Sequence, residues 1–160
     1  CAPCHLVHFM LVRVQLLFLS ASAAAVPLSK IRVDTSTHFF VDASGRSRIF
    51  HGVNAVEKLP PFHPTTTGFD PARSLSAHDA VNLAGWGFNV VRLGVMWQAV
   101  VPAADGVVNT TFLGVVRGLI GTLADAGIYT LVDMHQDVMG ARFCGEGLAK
   151  VGTYYYKTYY

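Results

Sequence analysis

Cysteine is scarce in this chain: three in 160 residues, of which Cys1 and Cys4 precede the first methionine, Met10. There is no His-Glu-x-x-His motif and no glycine-rich phosphate loop of the Walker type, so zinc-protease chemistry and phosphate-loop nucleotide hydrolysis have no sequence basis. No set of His, Asp and Cys has metal-ligand spacing, and no metal is expected. The formal net charge of +2 is small and scattered, which argues against nucleic acid as a partner. Glutamate is nearly absent as well, with only Glu57 and Glu146.

The apolar run near the start is far shorter than the roughly 20 residues a membrane span requires. From Met10 it reads instead as a secretory signal over residues 10–25, with Arg13 in a short positive region, an apolar stretch from Val14, and small residues for cleavage around Ala23. Residues 1–9 are then expected to be upstream sequence outside the mature protein. Asn109-Thr-Thr111 is an N-glycosylation sequon, in keeping with a secreted or lysosomal protein. Cys144 stands without a partner, and a disulfide to a cysteine beyond this sequence explains it better than a catalytic thiol, since only Arg142 lies near to activate one.

What is present is a pair of apolar strands that end in charge. Gly87-Phe-Asn89-Val-Val-Arg92-Leu-Gly-Val-Met-Trp97 has period-two alternation that groups Val90, Arg92 and Gly94 on one face. In Gly127-Ile-Tyr-Thr-Leu-Val-Asp133-Met-His135-Gln-Asp137 the same count groups Leu131, Asp133 and His135. An unpaired charge inside a protein costs several kcal/mol, roughly, so Arg92 and Asp133 either pair structurally or face a polar ligand.

Around these strands, residues 39–50 read as a β-hairpin turning at Asp42 to Gly45, followed by a short strand over residues 50–56 and a Pro/Thr-rich loop over 58–68. Helical spacing of Ala77, Ala80, Val81 and Ala84 predicts a first helix stopped by Gly85 and Gly87. Residues 97–109 read as a loop. Phe112, Val115, Val116, Leu119, Ile120 and Leu123 predict a second helix, capped by Thr110 or Thr111 and stopped by Gly127, in which Gly114, Gly118 and Gly121 allow close packing on a sheet. Of the histidines outside the last strand, His51 reads as a core or rim residue, His63 as a loop residue and His78 as an exposed helix residue. The order of hairpin, strand, helix, strand, helix, strand is that of a parallel α/β unit, with polar residues at the carboxyl ends of strands where such folds bind ligands.

Taken together, Phe40-Val-Asp42 with Gly45-Arg46, His51-Gly-Val-Asn54, Lys58-Leu-Pro-Pro61, Phe88-Asn-Val-Val-Arg92-Leu-Gly with Trp97, Asp133-Met-His-Gln-Asp137 and Phe143-Cys-Gly-Glu-Gly147 resemble glycoside hydrolase family 5, in its endoglycoceramidase branch. The resemblance covers residues 39–147. It implies an α/β fold, the N-terminal part of a TIM (β/α)8 barrel comprising about three βα units after a β-hairpin, with residues 26–147 forming an incomplete barrel portion. Three strands of a barrel leave an open edge, so these residues alone are expected to be unstable or to aggregate.

The resemblance further implies that Arg92 and His135 support the active site. It makes Lys58 and Asp137 sugar-binding residues, Asn54 and Asp133 supports deeper in the barrel, and Trp97 a residue that stacks on a sugar ring or simply packs. The family uses two glutamates in a retaining double displacement, one ending the fourth strand and one the seventh. Neither strand is expected here, and neither Glu57 nor Glu146 takes such a role, so the fragment is expected to be inactive alone. No cofactor and no obligate protein partner are implied. The expected substrate is a glycosphingolipid or oligosaccharide, with membrane-surface contact through the lipid. Alternatives are a non-catalytic sugar- or glycolipid-binding remnant, and another family-5 β-glycosidase such as a glucanase or glucosylceramidase-like enzyme. Residues 148–160, rich in tyrosine, depart from the family and are expected to be an aberrant, disordered tail.

Overall fold

The computed structural model of the protein describes residues 27–103 and 106–137. Two short strands, β1 (Arg32–Val33) and β2 (Phe40–Val41), pair antiparallel, and three more form a parallel sheet in the order β3 (Gly52–Ala55), β4 (Val90–Met96), β5 (Tyr129–His135). Helix α1 (Ala77–Gly85) connects β3 to β4, and α2 (Trp97–Val100) and α3 (Thr110–Asp125) connect β4 to β5. The readings of residues 1–25, of the tail at 148–160, and of Cys144 and Glu146 fall outside the described residues.

The central strand β4 is where the core forms, because it is the one strand of the parallel sheet with a neighbour on both sides. Val91, Leu93, Val95 and Met96 are buried, and Leu119, Leu123 and Ile128 are buried with them. Each such side chain contributes roughly 1.5–3 kcal/mol by leaving water. In α3 the buried positions Phe112, Val116, Leu119 and Leu123 follow the expected helical stripe. On α1 the stripe is shifted: Ala80 is buried with Leu83 and Ala84 against the core, whereas Val81 faces outward at 62% exposure. The four alanines and valines of that segment have too little bulk to fix the rotation of the helix, and Leu83 does so instead.

Both long helices begin at a side-chain cap. Ser76 accepts from the Asp79 N–H while the Asp79 carboxylate accepts from the Ser76 N–H, a reciprocal box. The cap of α3 is Asn109, not Thr110 or Thr111: its Oδ1 accepts the Phe112 N–H at 3.1 Å. Gly87 and Gly127 take φ of 86° and 78°, the left-handed turn that lets the chain leave each helix for the next strand. The expected packing role of the α3 glycines fails: a methyl group added at Gly114, Gly118 or Gly121 meets nothing within 4 Å, so these residues face away from the sheet.

The hairpin also differs from expectation. Its turn lies at Asp42 to Gly45, but Phe40–Val41 pairs with the preceding Arg32–Val33, and on the other side the pairing is reduced to the Val41 to Ser47 bridge, flanked by the Arg48 N–H to Phe40 carbonyl and Asp42 N–H to Arg46 carbonyl bonds. The reason is competition. The Arg46 N–H also bonds the Asp42 carboxylate, and the Ile49 carbonyl accepts from the Asn89 side chain, so residues 46–50 do not continue as a ladder. Asn89 is a clamp: its Oδ1 accepts the His51 N–H at 2.9 Å, its own N–H bonds the His51 carbonyl, and its carbonyl accepts the Tyr129 N–H. One residue, through its side chain and its backbone, thus aligns the amino ends of all three parallel strands. The loop expected at 97–109 is partly helical, since α2 follows β4 without a break.

Candidate functional site at the strand carboxyl ends

Register determines which side chains share a layer on the inner face of the sheet. Asn54 pairs with Arg92 and Arg92 with Leu131; one step on, Gly94 pairs with Asp133; a further step brings Met96 beside His135. Gly94 has no side chain in the layer of Asp133, and a Cβ there would stand 2.9 Å from a methyl of Val56. Val56 thus packs into the place a side chain on residue 94 would take.

Arg92 reaches Asp133 from the adjacent layer. Its Nη2 lies 2.7 Å from Asp133 Oδ2, and His135 Nδ1 lies 2.9 Å from the same oxygen. One carboxylate oxygen thus holds a guanidinium from one strand and an imidazole from its own strand. An Nδ1–H donated to Asp133 leaves His135 Nε2 as the outward-facing nitrogen. That atom is buried, makes no hydrogen bond among the described residues, and lies 3.5 Å from Asp137 Oδ2. Buried polar nitrogens without a partner are rare, because the loss of hydration is not recovered.

Asp137 in turn bonds the Lys58 ammonium, which arrives from the loop after β3, 79 residues away in sequence. That hydrogen bond and the positive charge hold the Asp137 carboxyl below its ordinary value of 3.8. The result is a continuous line of charge, Arg92, Asp133, His135, Asp137, Lys58, across the carboxyl ends of three parallel strands. A half-exposed ion pair contributes about 0–1 kcal/mol to stability, too little for stability alone to explain five polar groups in a row.

Of the seven residues expected at the site, these five come together. Asn54 sits beside Arg92 in register, and both line a cavity of about 440 Å³ on the inner face with Phe50, Val90 and Leu131. Trp97 begins α2 directly after the last residue of β4 and is 37% exposed, with no ring or polar contact to the charged line among the described residues. Glu57 bonds Arg73 at 3.0 Å and faces a separate cavity against α1, so it stands apart from this line. His51 packs on Phe88, half-buried His63 bonds the Pro64 carbonyl, and His78 is exposed on α1. Sequence reading missed Gly94, against which Val56 packs, and Asn89, which aligns the strands. The spacing of Gly94 two residues after Arg92 on the same face was the available signal for the first.

The family comparison agrees with this geometry. The cellulase family, glycosyl hydrolase family 5, matches residues 62–159. The chain belongs to glycosyl hydrolase family 5. Among curated relatives it is 41% identical over 133 residues to an endoglycoceramidase of Hydra vulgaris, covering 83% of this chain and 25% of that protein. It is 45% identical over 117 residues to an endoglycoceramidase of Cyanea nozakii, covering 73% and 23%. Among solved structures, endo-glycoceramidase II from Rhodococcus sp. as a lactosyl-enzyme intermediate superposes with a TM-score of 0.53 at 30% identity, over 69% of this chain and 26% of that one. The chain thus spans about a quarter of the length of the relatives it matches. Its hairpin and three parallel strands with intervening helices are the N-terminal part of the family's barrel, as expected from the sequence.

Proposed function

We propose that this family-5 chain carries the sugar-positioning part of the active site of a retaining endoglycoceramidase, an enzyme that releases the oligosaccharide of a glycosphingolipid from its ceramide. The observation that carries the reading is His135 Nε2: a buried nitrogen, oriented by Asp133, without a hydrogen-bond partner at the strand ends. A sugar hydroxyl, which can donate to that nitrogen, supplies the partner it lacks. Arg92 supports the same region through Asp133. Lys58 and Asp137 provide an ammonium donor and a carboxylate acceptor, a pair suited to adjacent sugar hydroxyls. Asn54 supports Arg92 from the neighbouring strand, and Trp97 offers a ring at the same strand ends.

Retaining cleavage needs two carboxyl groups about 5–5.5 Å apart, one nucleophile and one acid/base. The lactosyl-enzyme intermediate of the Rhodococcus relative supports this route. The line of charge described above contains no glutamate, and Glu57 is engaged with Arg73. On this reading the described residues position the sugar, and the two carboxyl groups are not among them. Entry into the secretory pathway through residues 10–25, and action outside the cell or in a lysosome, are part of the same reading. A β-glucan in place of the ceramide glycoside is the second reading, supported by the cellulase description of the family.

A chimaera tests both. Replacing the aligned segment of the Cyanea nozakii relative with this chain's residues should preserve release of oligosaccharide from fluorescent lactosylceramide. A chimaera that unfolds cooperatively but cleaves only β-glucan favours the second reading. One that unfolds cooperatively and cleaves neither substrate sinks the proposal.

A further inference from the structure

The sequon Asn109-Thr110-Thr111 falls where the fold uses almost every polar atom of its asparagine. The Asn109 N–H donates to the Val100 carbonyl at 2.8 Å, its own carbonyl accepts the Leu113 N–H at 3.1 Å, and Oδ1 caps α3 by accepting from Phe112. Nδ2 is the exception. It makes no hydrogen bond among the described residues and is not among their buried unpartnered atoms. Thr110 and Thr111 are both exposed.

A primary amide has one acceptor and one donor group, and glycosylation substitutes only the nitrogen. We propose that Asn109 is an N-glycosylation site at which cap and glycan occupy opposite atoms of one amide, so that the modified helix keeps its start. The donor is a polyprenyl-diphosphate-linked oligosaccharide. A bond forms between Nδ2 and the anomeric carbon, the bond from that carbon to the diphosphate oxygen breaks, and the lipid diphosphate leaves with the electron pair. One amide proton passes to the transferase base. Helix α3 begins at the end of the sheet where β4 and β5 finish. The glycan therefore projects from the end of the molecule that carries the charged line. The proposal rests on the secretory part of the reading above.

Three substitutions separate the two roles. Thr111→Ala removes the sequon and keeps the cap; Asn109→Asp removes the glycan and keeps a capping oxygen; Asn109→Gln removes the glycan and displaces the cap. The full chain is expressed in a eukaryotic cell twice, with its own N-terminus and behind a heterologous secretion signal. Mass spectrometry of the peptide containing Asn109 reads occupancy, and glycosidase treatment reads the mobility shift. Because transfer acts on the entering chain, occupancy is measured whether or not the product is stable. A glycan on the wild type, absent from all three variants, is the expected result. No glycan behind the heterologous signal, or a glycan retained in Thr111→Ala, overturns the proposal. A glycan seen only with the heterologous signal supports the site while contradicting the native secretory reading. Hydrogen exchange at the Phe112 amide in the cooperatively folding chimaera tests the cap: Asp should preserve its protection and Gln should lose it, and equal protection in the two contradicts the shared-amide account.

Discussion

Asp42 and Asp133 are both aspartates that meet two basic side chains, at opposite ends of the sheet, and they differ in how completely they are satisfied. Asp42 is buried, and its two oxygens accept from the Ser44 and Arg46 N–H groups, from the Arg46 side chain and, at 3.3 Å, from Arg48. Burial alone would raise its pKa; the bonds from Arg46 and Ser44 outweigh that and hold it below the ordinary value. Around it the hairpin is closed by a chain of edge-on rings, Phe40 on Phe50 and Phe50 on Tyr129. Asp133 uses one oxygen for Arg92 and His135, and the line it belongs to holds a nitrogen that makes no hydrogen bond among the described residues and a half-exposed Lys58–Asp137 pair. The amino end is a finished staple. The carboxyl end is a line of polar groups that stays partly exposed.

The sharpest way to break this contrast is to exchange the consequences. In a cooperatively folding chimaera, Arg92→Gln should lower kcat about 10²–10³-fold, the size seen when one preorganised electrostatic group is removed, with little change in unfolding midpoint. Asp42→Ala should do the reverse, lowering the midpoint clearly while kcat of the folded fraction is unchanged. If both substitutions move the same quantity, the two ends do not differ in kind.

Gly94→Ala probes the close approach of Val56 to the central strand. Its methyl group would crowd Val56 at 2.9 Å, and overpacking of this kind costs about 1–3 kcal/mol, read by denaturant unfolding. Gly118→Ala is its counterpart in open space, and should stabilise by about 0.5–1 kcal/mol in the same assay. A stabilising Gly94→Ala would mean that the inner layer is looser than described.

The smallest effect is on pH dependence. Asp137 is held below 3.8 first by its bond to Lys58. A carboxyl depressed in the folded state contributes stability above its unfolded value and loses it as pH falls through the folded one. The Lys58 latch should therefore hold above pH 3.8 and open only below it. Lys58→Met should bring the Asp137 titration, followed by carboxyl NMR, back toward the ordinary value.

Strands β4 and β5 were legible in the sequence because alternation records which face a residue takes, and two charges on facing strands must meet. Lys58 and Asp137 were legible only through family resemblance, since nothing local ties residues 79 apart. The hairpin pairing was misread because Asp42 and Asn89 redirect hydrogen bonds that a propensity argument assigns to a ladder. Side-chain caps and clamps are specific to three-dimensional neighbours, which is also why Asn109 was read as a sequon and not as the start of α3. The α3 glycines show the opposite failure: small residues were taken as a sign of close packing, where the structure places them facing open space.

The most direct test of the account follows the two ring nitrogens of His135 by ¹⁵N NMR in the folded chimaera as lactose is added. Occupation of the site should move Nε2 while Nδ1, held by Asp133, stays in place. An Nε2 signal that does not move at saturating lactose, in a protein that still cleaves lactosylceramide, would contradict the assignment of this histidine to the sugar site.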